Sequence, residues 1–136
     1  MHRQNLVSKN YAKALFKLAK EVNQIDKVID DMQKFATNFT SAFAAELSNP
    51  VISSSDLVKI VTIVNKKIGV IGLASDFLNV LFKNRKASYF SDVHDEFVKL
   101  VKEEKNILQI EVISAGELSQ DDLQEIKSII SKQAKG

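Results

Sequence analysis

Apolar positions recur at three- and four-residue spacing along most of this chain, the rhythm of helices with one face turned inward. From about Asn5 to Val22, Val7, Tyr11, Ala14, Leu15, Leu18 and Val22 share one broad face. Ala12, Phe16 and Ala19 widen that arc, and Lys9, Lys13, Lys17 and Lys20 line the remaining stripe. An arc this wide exceeds what one neighbouring helix covers, so the first helix has room for two partners. A second helix is predicted from about Gln24 to Thr37, with Ile25, Val28, Ile29, Met32, Phe35, Ala36 and Phe39 in step. A short third follows at Ser41 to Leu47 and meets Asn49-Pro50, a stop because the residue before proline avoids helical geometry.

A fourth helix is predicted to start after Ser54 or Ser55, with Asp56 in its first turn and Leu57, Ile60, Val61, Val64 and Ile68 on one face. Gly69 and Gly72 bracket a break. The fifth, about Leu73 to Lys83, carries Phe77, Leu78, Val80, Leu81 and Phe82. The sixth, about Ser88 to Glu104, carries Phe90, Val93, Phe97, Leu100 and Val101. The period then changes to two. Leu108, Ile110 and Val112 alternate with Gln109 and Glu111, which predicts a strand. After Gly116, Ser119 is placed to cap a last helix, with Asp122 three residues on and Leu118 and Leu123 in staple positions. One strand leaves its backbone groups unpaired. The expected architecture is therefore mainly α: a six-helix N-terminal bundle over residues 1–105, then a lone β-strand and a helix over 106–136. That second segment reads as the opening of an incomplete α/β C-terminal domain, in a chain that stops short of its natural end.

Composition narrows the chemistry. The 136 residues are 45% apolar and 26% charged, ordinary for a folded domain. With no cysteine, a disulfide scaffold, a thiolate metal site and a cysteine nucleophile are excluded. Four glycines and one proline favour long helices. The apolar stretch Ile68–Ala74 is far short of the roughly 20 residues that span a bilayer. The N-terminus does not read as a signal peptide or an import leader, so a cytosolic chain starting at Met1 is expected. His94 has Phe97 and Val98 at the positions a helical metal site needs, so it reads as a surface histidine. Asp30-Asp31 and Asp121-Asp122 diverge by about 100° on a helix and make no acid/base pair. Gly69-x-x-Gly72 lacks the lysine and hydroxyl of a phosphate loop. No cofactor and no catalytic group are expected.

Several short motifs stand in order. Tyr11-Ala12-Lys13-Ala14-Leu15-Phe16 resembles the Tyr-Ala-x-Ala-Leu-Phe signature of ATP synthase delta subunits, whose mitochondrial relative is the oligomycin sensitivity-conferring protein. Leu47-Ser48-Asn49-Pro50-Val51-Ile52 resembles that family's break before the fourth helix. Phe77-Leu78-Asn79-Val80-Leu81 with Asn84-Arg85 resembles its fifth helix, and Val112-Ile113-Ser114-Ala115 with Leu118-Ser119 the start of its C-terminal domain. The chain departs from the family at Asn84-Arg85-Lys86, and the family's later Gly-Gly and Asp-x-Ser segments do not occur.

The resemblance implies a non-catalytic peripheral-stalk subunit of a proton-translocating ATP synthase. It would sit at the cytoplasmic face of a bacterial inner membrane and reach the membrane only through the complex. It implies a groove between the first and fifth helices that receives the amphipathic N-terminal helix of an alpha subunit. Tyr11, Ala14, Leu15 and Leu18 would lie on one side, and Leu78, Leu81 and Phe82 on the other. Lys9, Lys13, Lys17 and Lys20 would form an electrostatic rim. The family's second domain meets the stalk b subunits. Two other classes compete. A nucleic-acid-binding domain would use the lysine stripe with Lys83, Arg85 and Lys86. Against it stand the balanced charge, +2 overall, and a basic run without interleaved aromatics. A helical enzyme lacks candidate groups.

Overall fold

The computed structural model describes residues 2–113 and 119–135, and every α-helix or strand segment among them is α-helical. In order they are α1 (His2–Glu21), α2 (Ile25–Asn38), α3 (Ser41–Leu47), α4 (Ser54–Ile68), α5 (Leu73–Lys83), α6 (Phe90–Ile113) and α7 (Gln120–Lys135). A single 3-10 turn, Ala87–Tyr89, leads into α6.

Local chemistry sets the ends. The Thr40 hydroxyl accepts from the Phe43 amide at the start of α3, and the Ser53 hydroxyl from the Asp56 amide at the start of α4. Each satisfies one of the amides a helix start leaves without a partner. Between them the Asn49 side chain accepts from the Val51 amide at 3.0 Å, turning the chain at Pro50. Helix α4 closes on Gly69 at φ 81°, a left-handed position that costs glycine least.

The chain divides into two compact units, residues 1–97 and 98–136. In the first, α1, α2, α4 and α5 turn their apolar faces inward, with Leu15, Met32, Leu57, Val61, Leu78, Leu81 and Phe82 fully buried. Phe35 anchors an aromatic cluster, its ring 5.0 Å from Phe90, 5.4 Å from Phe39 and 5.6 Å from Phe82. Burying side chains of this size stabilises by about 1.5–3 kcal/mol each, so this cluster sets where α2, α5 and the start of α6 meet. In the second unit the Ser119 hydroxyl accepts from the Asp122 amide, the cap expected from sequence, and Lys127 pairs with Glu111. Residues 114–118 lie outside the described residues, and with them Leu118 and part of the motif that begins at Val112.

Leu108–Val112, expected as a strand, is helix, and the sixth helix runs past Glu104 to Ile113. Described residues therefore hold no lone strand and no six-helix set closing near residue 105. The physical reason is pairing. A strand with no neighbour leaves a row of amides and carbonyls unsatisfied, whereas a helix satisfies them within itself. Five alternating residues are too few to override that, and Ile107 and Ile110, three apart and both half-buried, fit the helical period as well.

Candidate functional site

Helices α1 and α5 meet along a seam centred on Tyr11. Its ring stands edge-on to Phe77, centroids 6.1 Å apart at 78°. Its hydroxyl accepts from the Asn84 side-chain amide at 3.1 Å. Phe77 and Asn84 are seven residues apart and so lie two turns apart on one flank of α5. Tyr11 spans that flank and keeps its polar tip at the surface, as an aromatic with one wet end does.

The residues expected to line a groove separate into two layers. Leu15, Leu78, Leu81 and Phe82 are each 0% exposed, closed over by the chain's own side chains. They belong to the core, Phe82 packing on Phe35 and Phe39, and present no surface to a partner. Tyr11 is half-buried, Ala14 is exposed, and Leu18 is 48% exposed. With Val7, half-buried, and Val22, exposed, these three form a stripe along α1 at four-, three-, four- and four-residue steps. Burial separated the layers because the apolar arc of α1 exceeds what its neighbours cover, leaving Tyr11, Ala14 and Leu18 at the edge. Lys9, Lys13, Lys17 and Lys20 are exposed on the outward face, Lys17, three residues from Ala14, being the one nearest that stripe.

Two features escaped the sequence. His94 is only half exposed. Its Nε2 lies 2.7 Å from the Gln33 side-chain oxygen and its ring stacks on Phe90 at 8°. Burial lowers its pKa from the ordinary value, with Asp95 opposing. In α2, Asp31 is buried and takes Lys27 at 2.8 Å, while Lys27 also donates to the Ile71 carbonyl at 3.1 Å. That pair pins the α4–α5 loop to α2. The Lys27–Asp31 spacing of four is legible in sequence, but the contacts from Lys27 to Ile71 and from His94 to Gln33 are not, because they join residues 44 and 61 positions apart.

Two cations of the nucleic-acid alternative are engaged by contacts within the chain. Arg85 donates to the Ile52 carbonyl, and the Lys86 ammonium sits 4.9 Å over the Tyr89 ring. Among the described residues no group of acidic or histidine side chains is set to hold a metal, and no helix is long and apolar enough to cross a membrane.

Comparison with known proteins agrees on one family. The family model described as ATP synthase delta (OSCP) subunit matches residues 7–136. The ATP synthase subunit delta of Desulfosudis oleivorans is 30% identical over 129 residues, covering 93% of this chain and 70% of that protein. That of Rickettsia massiliae is 32% identical over 135 residues, covering 98% and 73%. That of Methylobacterium nodulans is 34% identical over 124 residues, covering 90% and 65%. No solved structure gives a significant match. A family match across nearly the whole chain, with relatives at this identity, places it: the chain belongs to the ATP synthase delta (OSCP) subunit family.

Proposed function

We propose that this chain is a non-catalytic peripheral-stalk subunit of ATP synthase that clasps the amphipathic N-terminal helix of an alpha subunit along the α1–α5 seam. Family membership supports the stalk role. The partly uncovered stripe Tyr11–Ala14–Leu18 beside α5 is the single observation that supports the seam. A helix laid against another helix is held by apolar anchors at three- and four-residue spacing, and this stripe offers sockets at that spacing. Ala14 matters because a small side chain lets a partner backbone approach closely. Leu15, Leu78, Leu81 and Phe82 act from below, fixing the separation of α1 and α5. No chemistry is asked of the site. Its task is affinity sufficient to hold the catalytic head against rotor torque.

The stalk b subunits are assigned to the C-terminal unit, where Leu108 and Ile129 are about half exposed. Nucleic acid is not favoured, given the family and the engaged state of Arg85 and Lys86.

Titration calorimetry of the full chain with a peptide of the first two dozen or so alpha-subunit residues tests the seam. Ala14→Asp and Leu18→Asp are each expected to weaken binding at least about tenfold, the scale of a central interface anchor. Melting temperature should hardly change, because both side chains are exposed. Native affinity in both variants would refute this placement.

A further inference from the structure

Helix α5 ends on a residue that its own backbone geometry disfavours. The Arg85 amide donates to the Phe82 carbonyl at 3.0 Å and the Lys86 amide to the Leu81 carbonyl at 3.1 Å. That pair of bonds closes a helix on a left-handed residue, the place where glycine is preferred. Here the residue is Arg85, at φ 58°. Among the described residues the other non-glycine positive φ is at Asn23, 57°. Asparagine tolerates it because its short side chain bonds locally, and arginine has no such relief. The Arg85 side chain shows what the strained backbone delivers. Its Nη2 donates to the Ile52 carbonyl at 2.6 Å, across 33 positions. Asn84 is bonded to Tyr11 in α1, whereas Arg85 is bonded to the turn between α3 and α4. That turn is itself tied down. The Val51 amide donates to the Asn49 side chain at 3.0 Å, the Ile52 amide to the Asn49 carbonyl at 3.2 Å, and Ser53 caps α4. Val51 precedes the carbonyl that Arg85 holds and is 87% exposed, the highest figure among the exposed large apolar residues described.

We infer that Arg85 and Val51 form a recognition site for a protein surface that presents a carboxylate beside an apolar side chain. A guanidinium carries five N–H donors in a planar fork. The bond to Ile52 uses one and fixes the plane of the group, and the residue is exposed. Among the described residues no carboxylate pairs with Arg85. Asp56, the acidic residue nearest to Ile52 along the chain, lies 3.9 Å from Lys59 instead. The free side of the fork matches a carboxylate through two parallel hydrogen bonds, which a point charge such as lysine does not do. Val51 decides the class of partner. A phosphate backbone has nothing to cover an exposed valine, whereas an apolar side chain next to the carboxylate does. Lys86, held over the Tyr89 ring, does not extend the site into a row of cations. Both groups are already fixed, the guanidinium by Ile52 and the valine by its turn, so docking orders little more. Arginines held in this way are over-represented among the few residues that dominate an interface. The inference stands on the α3–α4 turn and does not need the Tyr11 seam.

Arg3 and Arg85 are the only arginines in the sequence, so the full chain labelled with ¹⁵N-arginine carries its own control. The probe is the peptide acetyl-Leu-Glu-Leu-amide, and acetyl-Leu-Gln-Leu-amide is its neutral partner. The glutamate peptide is expected to move the Arg85 Nε resonance and leave that of Arg3 in place. It should bind about fivefold more tightly than the glutamine peptide, the scale of a carboxylate against an amide at an exposed but oriented arginine. Arg85→Gly supplies the residue that the helix end prefers, so it should keep its helix content and lose that fivefold preference, read at the Val51 backbone amide. Val51→Ser, at an exposed position, should weaken binding about threefold through lost apolar contact. Equal binding of the two peptides, joint movement of both arginines, or native affinity in either variant would overturn the assignment. So would inorganic phosphate moving the Arg85 resonance as strongly as the glutamate peptide, which would make the site a receptor for free anions.

Discussion

His94 shows how far a single residue escapes its local sequence. Its neighbours in the chain are Val93, Asp95 and the non-ligating Phe97 and Val98, which describe a solvated histidine. The fold instead brings Gln33 to its Nε2 and leaves Nδ1 buried without a protein partner. Burial disfavours the imidazolium, so the folded-state pKa lies below the ordinary 6.5. The folded chain therefore binds fewer protons at this site than the unfolded chain. Its stabilising contribution is complete above pH 6.5 and drains away as pH falls from there through the lowered value. Melting temperature should fall between pH 7 and pH 5, and His94→Gln should flatten that fall. Denaturation followed by circular dichroism at half-unit pH steps checks this; parallel curves would show that another group titrates. The same limit applies to the docking residues. Sequence marks Leu15 and Leu18 alike as apolar, but only packing decides that one is sealed and the other half open. Asn65, buried in α4 with one oxygen unpaired, is likewise invisible until α5 is placed against it.

Elements were far more legible than residues. The third helix matches its expected span, and the fifth also, because capping and breaking residues fall where the period changes. The fourth starts one residue earlier than expected, capped by Ser53. The alternation at Leu108–Val112 misled because a strand is defined by a partner that sequence cannot display, while a helix carries its partners within itself. Breaks are argued most firmly at glycine. Gly72 has φ 73° and ψ −138°, a conformation that side chains resist, whereas Gly69 has the milder left-handed pair 81° and 23°. Space is not the obstacle, since a Cβ at either site would meet nothing nearer than a lysine Nζ at 3.9 Å. Gly72→Ala should therefore cost about 1–3 kcal/mol through backbone strain alone, and Gly69→Ala about 1–2 kcal/mol. Urea unfolding of the two variants ranks them, and a reversed order would show that the α4–α5 loop relaxes at Gly72.

At the scale of the whole molecule, charge is balanced in sum and uneven in place. Net charge is +2, yet four lysines ride the outward face of α1, with Lys17 nearest the rim of the uncovered apolar stripe. Exposed lysines at such a rim add little to affinity, because water and salt screen them. They act on encounter, drawing an oppositely charged helix toward the seam and fixing its direction. On the proposed docking, replacing Lys9, Lys13, Lys17 and Lys20 together by Gln should slow association with an acidic alpha-subunit peptide by about tenfold at low salt. Dissociation, governed by the apolar anchors Tyr11, Ala14 and Leu18, should change much less. Raising salt should slow the native chain toward the variant, and the two rates should converge once the screening length falls to about 3 Å near 1 M. Stopped-flow fluorescence across a salt series separates the two contributions. Equal association rates at low salt would mean that the stripe faces only solvent, and the seam would then rest on shape alone.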